Sequence, residues 1–193
     1  RCRHCGARIP VRYFLVEVLG GVLALGCTWR FGTALSLTQG LFGMSWAALT
    51  ALAVCGLLLS VALIDAETQL IPDRLNLALA VCGVLGTLLS PAGWLPHLIG
   101  AFCVSVPMLL LCLVIDGAFG GGDIKLMAAA GLFLGWQNTL LAMFLGILGG
   151  GFYGIWLLAA KRADKKDHFA FGPFLCAGIV IAMLFGEPIL QWY

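Results

Sequence analysis

Charged side chains are scarce in this sequence of 193 residues, since Asp, Glu, Lys and Arg make up only 10% of it. Soluble domains average about 25% charged residues, whereas this chain is 62% hydrophobic. A membrane-spanning helix needs about 20 apolar residues, and uncharged runs of that kind recur along the chain. The composition therefore excludes a soluble domain and predicts an integral membrane protein in contact with lipid. We expect no nucleic-acid partner.

The sequence also lacks an initial Met, a linker, a low-complexity tract and a convincing internal repeat. Because it begins at Arg1 and not at Met, we expect that the start of the natural chain is missing from this sequence. No secretory signal can be identified in what remains. Since nothing divides the apolar part of the chain, we interpret residues 13–193 as one transmembrane domain. Residues 1–12 form a separate polar, arginine-rich segment.

The apolar segments predict an all-α fold, a polytopic membrane helix bundle with about seven transmembrane helices. The fifth and seventh segments are short, so we expect them to be tilted, re-entrant or locally unwound. In the sixth, Gly146, Gly150 and Gly154 recur every four residues, which indicates close helix packing. The predicted spans are Tyr13–Trp29, Met44–Ile64, Leu75–Ser90, His97–Ile115, Ile124–Gly135, Thr139–Ala160 and Phe174–Gly186.

The distribution of basic residues predicts the orientation in the membrane. If the spans alternate, ten of the 11 Lys and Arg residues lie on one side and only Arg30 lies on the other. Loops rich in Lys and Arg stay in the cytoplasm, so we expect a cytoplasmic amino terminus and a carboxyl terminus outside. The ten residues are Arg1, Arg3, Arg8, Arg12, Arg74, Lys125, Lys161, Arg162, Lys165 and Lys166.

Most of the eight cysteines are predicted to be packing residues, because a cysteine in an apolar run behaves as a small hydrophobic side chain. Cys2 and Cys5 differ, since they lie in the polar opening segment. A Cys-x-x-Cys pair at a terminus is ambiguous by itself. The six cysteines in apolar runs are Cys27, Cys55, Cys82, Cys103, Cys112 and Cys176.

Two aspartates stand at the ends of apolar segments, where acidic side chains are energetically costly. Asp65 closes the run Val54–Ile64, and Asp123 follows Phe119–Gly122. By the predicted topology both lie at cytoplasmic ends of spans. Two adjacent carboxyl groups tend to share one proton, so that one activates a water molecule while the other protonates a carbonyl oxygen. This pattern is typical of an aspartic peptidase; helix caps or interfacial charges are the other interpretation.

Neighbouring residues are predicted to support the two aspartates. Gly120 and Gly122 would permit positive φ and the close approach of an extended substrate backbone. Pro72 ends a helix and leaves Asp73 in a loop. We predict that Asp73 and Lys125 are supporting residues as well.

The same stretches resemble bacterial type IV prepilin peptidases. Ile64–Asn76 is similar to the first active-site segment of that family, and Phe119–Leu126 is similar to its second, Gly-x-Gly-Asp segment. Three further stretches agree in the same order: the start of the chain through Glu17, the small-residue helix Leu126–Gly135 and the turn Phe171–Phe174. The family usually has one more span and a first cysteine pair before the position of Arg1.

The resemblance implies an intramembrane aspartic endopeptidase of the bacterial inner membrane, with Asp65 and Asp123 as catalytic residues at the cytoplasmic face. It would remove the basic leader from type IV prepilins or type II secretion pseudopilins, cutting after a glycine. The apolar helix of the substrate would lie in the bilayer among the spans. We expect Asp73, Glu67 or Asp116 to attract the leader.

The resemblance also bears on cofactors. The peptidase step would need none, but many members then methylate the new amino terminus with S-adenosylmethionine. Residues 1–12 would be the remnant of a cytoplasmic, zinc-type segment in which Cys2 and Cys5 supply two ligands. Structural zinc normally takes a tetrahedral set, and His4 could add a third ligand only with awkward local geometry. Zinc and methyltransferase activity both stay open for this chain.

Two alternatives compete with this interpretation. Presenilin-like proteases also use Gly-x-Gly-Asp, but they pair it with Tyr-Asp and Pro-Ala-Leu motifs, whereas Asp65 follows Ile64 and Pro-Ala-Leu is absent. A small proton- or ion-coupled transporter could use intramembrane acids. However, transporter sites lie near the midplane of the bilayer, whereas Asp65 and Asp123 are predicted at one face.

Overall fold

The computed structural model describes residues 11–32, 46–88, 93–115, 117–160 and 170–192. Every regular element in these ranges is an α-helix, which confirms the predicted all-α class. The helices are α1 (Val11–Phe31), α2 (Trp46–Thr68), α3 (Asp73–Leu88), α4 (Leu95–Cys103), α5 (Ser105–Val114), α6 (Gly121–Leu134), α7 (Trp136–Ala159) and α8 (Gly172–Trp192).

The helices follow the seven predicted spans in order, with α4 and α5 together forming the fourth. Five segments have the length and hydropathy to cross a membrane: Val11–Phe31, Ala47–Thr68, Leu95–Val114, Trp136–Leu157 and Gly172–Trp192. The two others, α3 and α6, have only 16 and 14 residues. These features support a polytopic membrane bundle.

The prediction that the seventh span is short is wrong. Helix α8 has 21 residues and continues through Glu187 and Pro188, where the apolar run had seemed to end. A proline within a helix removes one N–H donor, but Pro188 lies near the carboxyl end of α8 and the helix continues to Trp192. The fifth span is short as predicted.

The chain forms two compact units, residues 1–56 and 57–193. The described part of the first unit consists of α1 and the first half of α2. The Sγ atoms of Cys27 and Cys55 lie 3.5 Å apart there, and both side chains are buried. All six cysteines of the apolar runs are free thiols, as predicted. Cys2 and Cys5 lie outside the described residues.

Helix α6 is central to the second unit, since α3, α4, α5, α7 and α8 all contact it. Its length of about 21 Å, from 14 residues at 1.5 Å each, is less than the hydrocarbon thickness of about 30 Å. A short buried helix is tolerated where other protein surrounds it. Small residues allow this close packing: a β-carbon added to Gly100 would lie 2.6 Å from the carbonyl oxygen of Gly131.

Helices α7 and α8 pack along each other through two of the glycines predicted to serve packing. A β-carbon added to Gly146 would lie 2.9 Å from Cδ2 of Leu175, and one added to Gly150 would lie 2.7 Å from Cε2 of Phe171. These contacts confirm the packing role of both glycines. They also hold the start of α8 at a fixed position along α7.

Candidate active site

Asp65 lies in the last turn of α2 and is 5% exposed. The helix ends three residues later, at Thr68, and the N–H of the following Gln69 donates to the carbonyl oxygen of Asp65 at 2.8 Å. Gln69 has a φ of 53°, a conformation that reverses the chain direction after a helix. Asp65 therefore lies at the end of a long apolar helix, in the part of α2 that belongs to the second unit.

The start of α8 supplies the partner of Asp65. The backbone N–H of Gly172 donates to Oδ2 of Asp65 at 3.0 Å, and this contact is buried. The amino-terminal end of a helix favours a negative charge because its N–H groups point outward. A β-carbon added to Gly172 would lie only 2.6 Å from the same oxygen. The contact therefore requires glycine, a role that the sequence analysis did not assign to the Phe171–Phe174 turn.

Asp123 lies in the first turn of α6 and is 8% exposed. Gly120 caps this helix with extended backbone (φ −69°, ψ 141°), and its carbonyl oxygen accepts the N–H of Asp123 at 3.0 Å. Oδ1 of Asp123 is buried and has no hydrogen-bond partner among the described residues. A buried polar atom without a partner is unusual, so this oxygen is ready for a proton, a water molecule or a substrate.

The predicted positive φ in the glycine run is wrong. Neither Gly120 nor Gly122 has a positive φ, whereas Gly117 in the same loop has one of 76°. A β-carbon added to Gly122 would lie 2.9 Å from Cβ of Ile71, and the approach of a substrate backbone to this glycine stays a prediction. The loop between α2 and α3 thus packs directly on the residue before Asp123.

The two carboxyl groups influence each other electrostatically. Burial raises the pKa of Asp123 to about 6, the charge of Asp65 acts in the same direction, and a backbone hydrogen bond with Gly120 opposes both. Cys176, one turn into α8 from Gly172, interacts electrostatically with both carboxyl groups. The ends of α2, α6 and α8 therefore bring Asp65 and Asp123 into one buried, acidic site.

Two aromatic rings connect the segments that carry the site. Phe119 precedes the glycine run and Phe171 precedes Gly172, and their ring centroids are 5.9 Å apart at an interplanar angle of 48°. Tilted ring pairs at this separation are favourable. This contact joins the segment before α6 to the segment before α8, next to the two aspartates.

The predicted supporting residues Asp73 and Lys125 pair with each other. Nζ of Lys125 lies 2.7 Å from Oδ1 of Asp73, and both side chains are largely exposed. The prediction that Asp73 lies in a loop is wrong, because Asp73 is the first residue of α3. The carbonyl oxygen of Pro72 accepts the N–H of Leu75 at 3.0 Å, so the proline starts this helix as well as separating it from α2.

The acids expected to attract a basic leader have different surroundings. Asp73 is occupied by Lys125, Glu67 is exposed on the last turn of α2, and Asp116 lies outside the described residues. Among the described residues, no three His, Cys, Asp or Glu side chains are grouped as metal ligands. The zinc prediction concerns Cys2 and Cys5, which the described ranges do not include.

The chain is similar to proteins of a known peptidase family. The sequence model of the type IV leader peptidase family matches residues 52–155, and that of the bacterial peptidase A24 N-terminal domain matches residues 1–31. No solved structure shows significant similarity to the chain.

Three relatives carry the name prepilin leader peptidase/N-methyltransferase, and all of this chain aligns with each. The protein of Aeromonas salmonicida (strain A449) is 35% identical over 201 residues, which cover 65% of its length. That of Legionella pneumophila is 32% identical, with 66% of its length covered, and that of Bacillus subtilis (strain 168) is 30% identical, with 74% covered. The chain thus spans slightly less than two thirds of the first two relatives.

Proposed function

Because this chain belongs to the type IV leader peptidase family, we propose that it is an intramembrane aspartic endopeptidase with Asp65 and Asp123 as its catalytic pair. The observation that carries the proposal is their convergence. Residues from α2 and α6 meet beside the start of α8, in one buried site where the charge of Asp65 acts on Asp123. The peptidase domain comprises residues 13–193.

The surroundings of the two carboxyl groups differ, and we assign their roles accordingly. Asp65 accepts the N–H of Gly172 at the start of α8, which favours its ionised form. It is therefore the base that takes a proton from the attacking water. Asp123 is more easily kept protonated, because burial and the adjacent charge both raise its pKa. It donates its proton to the scissile carbonyl oxygen as that oxygen becomes negative.

The protons balance in this sequence of steps. Water loses a proton to Asp65 and its oxygen attacks the carbonyl carbon, while Asp123 protonates the carbonyl oxygen. Collapse of the tetrahedral intermediate breaks the C–N bond, and the amine takes the proton held by Asp65. The hydroxyl of the intermediate returns its proton to Asp123, which restores the starting state. Both carboxyl groups act only on water and substrate, so this step uses no metal.

We propose a prepilin or type II secretion pseudopilin as the substrate, cut after a glycine at the end of its basic leader. The relatives' names support prepilin as the substrate class. The apolar helix of such a substrate suits the bilayer, and its basic leader suits the cytoplasmic side, where ten of the 11 basic residues of this chain also lie in the predicted topology. The site is then at the cytoplasmic face of the inner membrane, and the carboxyl terminus is outside.

The relatives' names also include N-methyltransferase, and S-adenosylmethionine would donate the methyl group to the new amino terminus. No described residue is assigned to its binding. We also propose that Cys2 and Cys5, in the remnant segment of residues 1–12, supply two ligands to a structural zinc ion. The comparisons give no support to the transporter alternative.

Cleavage of a prepilin by the purified protein tests the proposal. In detergent, the parent should release the leader, whereas Asp65→Asn and Asp123→Asn should each lower the rate about 10²- to 10⁴-fold, the range of general acid–base catalysis. Glu187→Gln, at the opposite end of α8 from Gly172, is the matched acid control and should cleave like the parent. Full activity of either aspartate variant would reject the proposal. Lack of cleavage by the parent, with ion uptake into liposomes, would favour a transporter.

A further inference from the structure

Asn76 is a buried polar residue that contacts the segment carrying Asp123. It lies in the first turn of α3 and is 5% exposed. Its Nδ2 lies 3.4 Å from the carbonyl oxygen of Gly122, 46 residues away in the sequence and directly before Asp123. Its Oδ1 is buried and has no hydrogen-bond partner among the described residues. An amide in this position is unexplained by packing, since a leucine of similar volume would leave no polar atom without a partner.

The surroundings of Gly122 indicate what this contact does. Ile71 packs on the α-carbon of Gly122, Gly120 caps the amino-terminal end of α6, and Asn76 approaches the carbonyl oxygen of Gly122 from α3. The first turn of α6 is thus held at Gly120 and, by two contacts, at Gly122. Because Asp123 is the next residue, its backbone orientation is set by the same contacts.

We propose that Asn76 is a positioning residue for Asp123, which fixes the direction of its carboxyl group by holding the first turn of α6. This inference rests on the proposed peptidase function. A displacement of about 1 Å at a catalytic group can lower a rate about 100-fold. A helix end that turns slightly would therefore reduce catalysis even in a fully folded enzyme.

Asn138 provides a matched control in the same fold. Its Nδ2 also lies 3.4 Å from a carbonyl oxygen, that of Leu134, and its Oδ1 is also buried and without a partner among the described residues. The contact of Asn138 is local, four residues along the chain, and the residue lies beside Gly186 near the far end of α8. In both asparagines Nδ2 contacts a carbonyl oxygen and Oδ1 has no partner among the described residues. Only Asn76 contacts the residue directly before Asp123.

The first test compares Asn76→Leu with Asn138→Leu in prepilin cleavage by the purified full chain. We expect Asn76→Leu to lower kcat about 10- to 100-fold with KM within about threefold of the parent. Asn138→Leu should change kcat by less than about threefold. Rates are expressed per folded molecule, from size-exclusion chromatography and thermal unfolding. Equal kcat values for the two variants would overturn the proposal.

The second test uses Asn76→Asp, which keeps the side-chain shape but adds a negative charge beside the turn of Asp123. The charged or titratable groups already near Asp123 are Asp65 on α2, Cys176 on α8 and, on its own helix, Lys125, which pairs with Asp73 on α3. A further carboxylate raises the pKa of Asp123, so the alkaline limb of the cleavage profile should move to higher pH. Asn138→Asp should leave that limb in place. An unmoved limb in Asn76→Asp would mean that residue 76 lies too far from Asp123 to orient it, which would contradict the proposal.

The Asp65→Asn and Asp123→Asn variants are measured in the same assay to separate the two claims. If either retains full activity, the peptidase assignment itself fails. If both are inactive while Asn76→Leu cleaves like the parent, only the role of Asn76 is overturned.

Discussion

The backbone N–H of Gly172 donates to Oδ2 of Asp65 at 3.0 Å, and no side chain could be added at Gly172 without meeting that oxygen. These residues are 107 positions apart in the sequence. The contact joins the last turn of α2 to the first turn of α8 and gives one of the two aspartates a fixed orientation. The other aspartate, Asp123, keeps one oxygen free of hydrogen bonds within the described residues.

Gly172→Ala is expected to abolish most of the activity, because the added methyl group would displace the carboxyl group of Asp65. We predict a fall in kcat of about 10²-fold or more. Gly151→Ala on α7 is the control, since a β-carbon there meets nothing within 4 Å, and it should cleave within about twofold of the parent. Prepilin cleavage and size-exclusion profiles of both variants check this. Unchanged cleavage by Gly172→Ala would mean that the contact with Asp65 has no role.

The cleavage rate should fall as the pH rises through the pKa of Asp123. This carboxyl group has a pKa of about 6, and as the proton donor it must be protonated when the peptide bond is attacked. We therefore expect an alkaline limb of kcat/KM with a midpoint near pH 6 in detergent. A rate that stays constant from pH 5 to pH 8 would contradict the assigned role of Asp123.

Asp123→Asn should stabilise the protein at neutral and alkaline pH. The pKa of Asp123 is raised from 3.8 to about 6 in the folded protein, so the folded state binds this proton more tightly than the unfolded state. The free energy of unfolding of the parent therefore decreases as the pH rises from about 4 to about 6, by an amount on the order of 2–3 kcal/mol. Because asparagine does not ionise, the free energy of unfolding of Asp123→Asn does not decrease in this way as the pH rises.

Thermal unfolding in detergent checks the pH dependence. The Tm advantage of Asp123→Asn should be largest at pH 8, should be small near pH 4 and should disappear near pH 3, where the aspartate is protonated in both states. An equal Tm difference at both pH values would show that the substitution acts through packing instead.

The ion pair between Asp73 and Lys125 should contribute little to stability in spite of its 2.7 Å distance. Both side chains are mostly exposed, at 72% and 58%, and exposed pairs typically contribute about 0–1 kcal/mol. A double-mutant cycle of Asp73→Asn and Lys125→Gln, followed by thermal unfolding, should give a coupling energy below about 1 kcal/mol that decreases with salt. A coupling of several kcal/mol would mean that the pair is shielded from water in the membrane-bound enzyme.

Much of the helical architecture could be predicted from the sequence because long apolar runs have few alternatives in a membrane. The errors occurred where a polar or helix-breaking residue lies inside a helix. Pro188 did not end α8, and Asp73 began α3 instead of lying in a loop. Residues 187–192 are exposed, and so is Asp73, so burial of apolar side chains, which composition reflects, did not set either boundary.

The two aspartates were identifiable because acids at the ends of apolar segments need an explanation. The roles of Gly172 and Asn76 were not, since each depends on a contact between residues far apart in the sequence. Gly172 contacts Asp65 across 107 positions and Asn76 contacts Gly122 across 46. The sequence showed only a glycine at a helix start and an asparagine within an apolar helix. Neither feature indicates which distant residue it contacts.

The claim that Asp65 and Asp123 act as one unit is tested most directly by a double-mutant cycle of catalysis. Single-turnover cleavage of a prepilin is measured for the parent, Asp65→Asn, Asp123→Asn and the double variant. When two groups act as one catalytic unit, removing either of them removes most of the rate enhancement that both provide. Each single variant should therefore be about 10²- to 10⁴-fold slower than the parent. The double variant should be no more than about tenfold slower than the slower single variant. Losses that multiply in the double variant, or a single variant that retains the parental rate, would contradict a shared catalytic site.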